Sequence, residues 1–304
     1  MDFNQKLIFV TGKGGVGKSF ISSIIAHNIS SSSSKKVLII ESETIGAIAS
    51  QFEHTDVGYD PVEIFSNIYL CQINTQDSLS EYLKLYAKIP TWAKFGPLSK
   101  LIDIVAHGAP GVKEILVVGK ICFELKKIIE SKSEYDCIIV DSPATGHVIS
   151  LLEAPWSMKN FVSTGMVNNQ TKWMCDLLEN KDLTGVLVVA NGDEVVLNET
   201  KELIEKIELE THSHTIGVVL NKYTGNDSNI SGKNGVNNLP DILKLQRQYL
   251  AEENIKCNRA LKNLRVKKFY SFPLINNLSN SLRNVIKYSS KLVHLEIESE
   301  NSSK

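Results

Sequence analysis

Eight residues near the start of the chain, Gly12-Lys13-Gly14-Gly15-Val16-Gly17-Lys18-Ser19, constrain its fold more than any other segment. Gly12, Gly17, Lys18 and Ser19 fill the pattern G-x-x-x-x-G-K-[ST], a loop that wraps successive backbone N–H groups around a phosphate. The flanking residues agree with it. Leu7-Ile8-Phe9-Val10 is apolar without alternation, as a strand buried on both faces must be. Phe20, Ile21, Ile24, Ile25 and Ile29 then recur at helical spacing. Strand, glycine loop and helix in that order bring the positive end of a helix to the phosphate. In this reading Gly12, Lys13, Gly14, Gly15, Val16, Gly17, Lys18, Ser19 and Phe20 form the cradle. Lys18 reaches the β- and γ-phosphates, and the Ser19 hydroxyl is a Mg²⁺ ligand. The bland alternative is a glycine-rich turn that binds nothing, and the strand–helix context argues against it.

A loop of this kind needs a sheet to carry it. Further apolar runs predict strands at Lys36–Glu41, Ile68–Ile73, Asp136–Asp141, Gly185–Ala190, Ile216–Asn221 and Lys267–Phe272. Most are rich in Val and Ile, and helical patterns separate them. The predicted fold class is therefore α/β, a doubly wound, mostly parallel sheet with a small helical subdomain. Residues 1–304 read as one domain without internal repeats. Stretches 79–127 and 156–179 are the expected helical inserts; the second carries Met158, Met166 and Met174, three of the four methionines. Ser30–Ser34 and the segments 224–238 and 299–304 read as turns or flexible segments.

Composition excludes several classes. The net charge of −1 gives no basic field for nucleic acid. Cys71, Cys122, Cys137, Cys175 and Cys257 are odd in number, scattered and free of C-x-x-C. That usage suits a reduced, cytoplasmic setting and argues against a disulfide scaffold or local zinc site. The N-terminal residues do not read as a signal peptide, and no run approaches the ~18 apolar residues of a membrane span.

Two acidic segments fall where the strands end, the place at which such sheets bind ligands. Asp136-Cys137-Ile138-Ile139-Val140-Asp141 closes on a carboxylate suited to Mg²⁺, directly or through water. Ser142-Pro143-Ala144-Thr145-Gly146-His147 follows, then Val148–Leu152 and Pro155. Gly146 gives this loop hinge freedom to sense a γ-phosphate. His147 reads as a structural or coupling residue in preference to a base, because phosphoryl transfer needs positioning and charge neutralisation above all. Glu41-Ser42-Glu43 ends the second predicted strand. The two carboxylates point to opposite sides if the strand persists. Glu43 is the expected orienter of an attacking water, and Glu41 is a candidate for the Mg²⁺ shell.

The octet with its additional Lys13, the Ser142–His147 segment, and Ala109-Pro110-Gly111-Val112-Lys113-Glu114-Ile115-Leu116 continuing to Gly119-Lys120 together resemble one family. It is the ArsA and tail-anchored-protein-targeting family of deviant Walker A ATPases, and the resemblance is to its bacterial branch. The resemblance implies a P-loop ATPase fold, ATP and Mg²⁺ as cofactors, and a nucleotide-sandwich dimer. There the extra lysine, here Lys13, crosses to the partner's nucleotide, a role worth roughly 10³–10⁵ in rate when an arginine plays it. The alternative is a lysine that touches only its own loop or solvent. Lys18 and Asp141 are catalytic by the same resemblance. Asn221, closing Val218-Val219-Leu220-Asn221, matches a residue that bonds the adenine edge, and Phe272-Pro273-Leu274 resembles a later adenine loop through Pro273. Glu43 stands where the relatives carry Asp, one methylene shorter.

The output of such an ATPase is less legible. The first expectation is a homodimer, or a heterodimer with a related ATPase, that binds a hydrophobic-helix client, with the methionine-bearing segment and residues 79–127 as candidate groove walls. The relatives' C-x-x-C dimer clasp is missing from this chain. The alternatives are an arsenite-efflux subunit and a MinD-like spatial organiser. Cys122 and Cys175 are the thiols an arsenite site could draw on. An organiser would use the stripe Leu282, Val285, Ile286, Leu292 and Val293 for membrane contact that is at most peripheral.

Overall fold

The computed structural model describes residues 3–42, 46–86, 111–161, 164, 166–224, 252, 254–275 and 281–295. Its frame is a nine-stranded sheet. In chain order the strands are β1 (Leu7–Thr11), β2 (Val37–Glu41), β3 (Val62–Phe65), β4 (Ile68–Gln72), β5 (Cys137–Asp141), β6 (Thr184–Asn191), β7 (Thr215–Tyr223), β8 (Phe269–Pro273) and β9 (Val293–His294). They lie side by side as β3-β4-β2-β5-β1-β6-β7-β8-β9. Only the two outermost pairings are antiparallel. β1 sits at the centre, parallel to both β5 and β6.

The unalternating apolar runs are explained by a core on each face. Leu7 and Phe9 enter one layer, and Ile8 and Val10 enter the other; all four are fully buried. The first layer is closed by α4 (Val112–Ile129), α5 (Thr145–Phe161), α6 (Met166–Glu179) and α7 (Glu194–Glu210). The second is closed by α1 (Lys18–Ser33), α2 (Ala47–Gln51) and α8 (Leu282–Tyr288). Helix α3 (Thr75–Tyr86) packs on α4, and the helical residues 254–262 bring Cys257 and Leu261 into the first layer. Register brings the ends of the central strands level: Glu41 stands beside Asp141, Val10 beside Asp141, and Asn191 beside Asn221.

Several expectations are corrected. Strand β3 is missed because Val62 and Glu63 are exposed, so an edge strand of four residues shows no apolar run. The Ser30–Ser34 run is not a turn up to Ser33; it is the last turn of α1. Ser31, Ser32 and Ser33 each donate to the carbonyl four residues back, which satisfies hydroxyls that would otherwise compete with the helix. Residues 156–161 belong to α5, which runs through Pro155, so the second insert starts later than expected. The apolar stripe near the end is not one helix face. Helix α8 stops at Tyr288, and the chain turns to pair β9 with β8. Val285 and Leu292 are buried in the second core layer, while Ile286 and Val293 are exposed. Segment 87–110, the 225–238 part of the expected loop and the tail 299–304 lie outside the described residues. Among the described residues no helix is long and apolar enough to cross a membrane.

Candidate functional site

The phosphate loop joins the end of β1 to α1, and its glycines are required by what surrounds them. Gly12 has φ 147°, and a Cβ there would lie 2.1 Å from the Val189 carbonyl oxygen of β6. Gly17 has φ 92° and forms the N-cap of α1 without any side-chain cap. The N-cap therefore supplies no side-chain acceptor, and the positive end of α1 faces the loop, where an anion is favoured. By contrast α7 begins with Asp193 accepting from Val195 and Val196 N–H groups. Phe20 turns its ring into the core, edge-on to Phe272 at 5.7 Å, so only its backbone can serve the loop.

Beneath the loop lies the acid of β5. Ser19 Oγ donates to Asp141 Oδ2 at 2.6 Å, and Ser22 Oγ donates to Oδ1 at 3.2 Å. Burial pushes the Asp141 carboxyl up from 3.8 to about 6. The two serine hydroxyls pull it back, neighbouring Glu41 raises it, and Lys18 lowers it. A buried carboxylate beside a hydroxyl, next to a phosphate cradle, is an oxygen-only donor pair of the kind Mg²⁺ takes. Ser19 and Asp141 thus fit the ion.

Glu41 is placed otherwise than expected. Its side chain is fully buried and accepts from the Gly46 and Ile48 N–H groups and from Gln72 Nε2. It anchors the backbone at the start of α2, and its oxygens are engaged there. Its predicted companion Glu43 lies outside the described residues. Gly146 sits in the first turn of α5 and has no positive φ, so the expected hinge is helical in this structure. His147 is exposed on the same turn.

Asn221 is buried, and its Nδ2 donates to the Val16 carbonyl at 2.7 Å while its Oδ1 accepts from the Lys222 N–H. It braces the phosphate loop from β7. Pro273 ends β8 opposite Tyr223. Lys13 touches neither its own loop nor solvent alone: its ammonium lies 2.7 Å from Glu199 Oε1 on α7. Sequence reasoning did not single out Glu199, one of six glutamates on that helix.

Comparisons with known proteins give the family. The family model described as anion-transporting ATPase matches residues 5–175, more than half of the chain. The chain belongs to the anion-transporting ATPase family. Among curated relatives, the ATPase BagA of Mycobacterium tuberculosis is 26% identical over 208 residues, covering 66% of this chain and 61% of its own length. A putative arsenical pump-driving ATPase of Aquifex aeolicus is 26% identical over 205 residues, covering 66% and 64%. The ATPase get3 of Schizosaccharomyces japonicus is 25% identical over 252 residues, covering 71% and 75%. The chain thus spans somewhat over three fifths of the length of the first two.

Away from the loop, this member of the family carries an apolar cavity of about 320 Å³ among α3, α4, α5 and α6. Leu116, Phe123, Met158, Trp173 and Met174 are among its walls. Met158 and Met174 of the expected segment reach it. At its edge Lys120 is buried between Glu81 and Glu124, 3.0 Å from each, and 4.7 Å above the Tyr59 ring. Burial alone would lower the Lys120 ammonium, but the two carboxylates outweigh it and hold it above its ordinary value. None of the five cysteines is in a disulfide, and all are buried. Burial pushes the Cys122 thiol well up and Cys175 to about 11.

Proposed function

We propose that the chain is a Mg²⁺-dependent ATPase that works as a nucleotide-driven pair. The observation that carries this reading is the convergence at the end of the central strands. An uncapped helix start, Ser19 and Asp141 come together there, beside a lysine near the loop's start that is carried toward the surface. Lys18 neutralises the β- and γ-phosphates, and Ser19 with Asp141 holds the ion, which supplies charge neutralisation when bound. Lys13 acts across the pair on the partner's nucleotide. Glu43 orients the attacking water, and Asn221 with Pro273 borders the base. The partner is a second copy or a related ATPase.

The output is binding of an apolar helix or similar protein client. Support comes from the cavity walled by Phe123, Met158, Trp173 and Met174, since Met adapts to varied apolar partners. The name of the get3 relative does not state a client, and the Aquifex relative's name points to arsenical pumping. Arsenite chemistry draws on thiolates. Burial keeps Cys122 and Cys175 protonated, which favours the protein client.

The test is a pair of lysine variants. Lys18→Ala is expected to abolish ATP binding, measured by calorimetry. Lys13→Ala is expected to keep most binding while losing phosphate release and the ATP-induced dimer. Unchanged turnover in Lys13→Ala refutes the cross-acting role.

A further inference from the structure

The proposed role of Lys13 requires it to leave its own protomer, yet its ammonium is already occupied. Lys13 Nζ lies 2.7 Å from Glu199 Oε1, with both side chains somewhat under half exposed. The two groups are 186 residues apart in sequence, so the fold, not local chain geometry, brings them together. The approach is well supported from below. Gly12 lies so close to Val189 that a Cβ there would meet its carbonyl oxygen, and α7 follows that strand within a few residues. The start of the phosphate loop and the start of α7 are therefore held in fixed relation.

Glu199 also faces a second element. With Thr145, Gly146 and Ile149 it lines a groove of about 290 Å³ between the first turns of α5 and the middle of α7. Those α5 residues lie a few positions beyond Asp141 and Ser142. One carboxylate thus lies between the loop that cradles phosphate and the segment expected to sense it.

We propose that Glu199 is a positioning residue that seats Lys13 within its own protomer and so opposes pairing until nucleotide draws the lysine away. The inference rests on the cross-acting role of Lys13 argued above. Its size follows from the exposure of the pair. A partly exposed ion pair shifts an equilibrium about 1.5- to 5-fold. A two-fold dimer in which both lysines cross breaks two such pairs, so the effect on the dimer dissociation constant is squared, to about 2- to 25-fold. The carboxylate of Glu202, lining the same groove, could accept a released lysine, so a single substitution gives the lower part of that range.

The experiment is sedimentation velocity with ATP and Mg²⁺ over a range of protein concentrations. The proteins are wild type, Glu199→Gln, Glu199→Gln/Glu202→Gln, Lys13→Ala and Lys13→Ala/Glu199→Gln. The expected result is tighter pairing in Glu199→Gln, by about 2-fold or more, and tighter still when Glu202 is also changed. The Lys13→Ala background should show no gain. Unchanged or weaker pairing in both glutamate variants overturns the inference while leaving the proposed function standing. Restored pairing in Lys13→Ala/Glu199→Gln also overturns it, because Glu199 would then act on the partner surface instead of on Lys13. A wild type that stays monomeric with ATP, or a Lys13→Ala protein that pairs as well as wild type, fails the proposed function and takes this inference with it.

Discussion

Asp141→Asn is expected to stabilise the nucleotide-free protein at neutral pH while removing its hold on Mg²⁺. Asp141 is 3% exposed, and its two hydroxyl donors do not offset the loss of water, so its carboxyl is pushed up from 3.8 to about 6. Between those values the folded protein keeps a proton that the unfolded chain has released. Stability therefore falls as pH rises through about 4 to 6, and the full penalty is present above about 6. The difference corresponds to about 3 kcal/mol at pH 7.5. Asparagine removes the charge, keeps an acceptor for Ser19, and offers an N–H₂ that must find its own partner at a cost of about 1–3 kcal/mol, which reduces the gain to about 0–2 kcal/mol. Urea unfolding without divalent cations, at pH 4.5, 6 and 7.5, measures this directly. The variant should be more stable at pH 7.5, and the gap should close toward pH 4.5. A variant less stable at pH 7.5, or a gap that does not change with pH, refutes the argument. For the wild type, apparent Mg²⁺ affinity measured with nucleotide should fall about tenfold per pH unit below about 6, because the ion competes with a proton for the same carboxylate.

Gly12→Ala would place a methyl group against the Val189 carbonyl oxygen at 2.1 Å. The loop must move, so nucleotide binding by calorimetry should be lost along with several kcal/mol of stability. Asn221→Ala leaves the Val16 carbonyl and the Lys222 N–H without their present partner; a loss of about 1–3 kcal/mol in urea unfolding is expected, with weaker nucleotide binding. Among the described residues, Lys120→Met leaves Glu124, 3% exposed at its side chain, with only Lys127, and takes from Glu81 its one cation. Because Glu124 keeps Lys127 and Glu81 is partly exposed, the cost should be about 1–3 kcal/mol, and Lys120→Met/Glu124→Gln should recover part of it. Full stability in the Lys120→Met single variant would show that the ion cluster is dispensable.

The sheet was legible because its central strands are buried on both faces, which leaves runs such as Val37–Glu41 and Cys137–Asp141 apolar up to the carboxylate that closes each. Where burial is one-sided the signal fails. Half of β3 is exposed, and β9 exists only as a two-residue pairing after α8 has ended, so neither shows in a window of sequence. The serine run at the end of α1 misled for a different reason. Serine favours turns in isolation, but three successive hydroxyls here find the carbonyls of their own helix.

The phosphate loop announces itself because backbone close approach admits only glycine at Gly12, and a constraint that strict leaves a readable pattern. Contacts made by long side chains across the fold leave none. Glu41 and Asp141 end neighbouring strands at the same level, yet one gathers two serine hydroxyls and the other the Gly46 and Ile48 amides. Their sequence positions are equivalent; what separates them is which groups face each carboxylate, and that is decided by α1 on one side and α2 on the other. The same holds for Glu199. Nothing in Leu-Asn-Glu-Thr-Lys distinguishes it from the other glutamates of α7 until β6 brings the helix beside Lys13. A charge on a helix surface acquires a role only through what the sheet sets opposite it. For that reason the residues that could regulate this site are harder to read from sequence than those that form it.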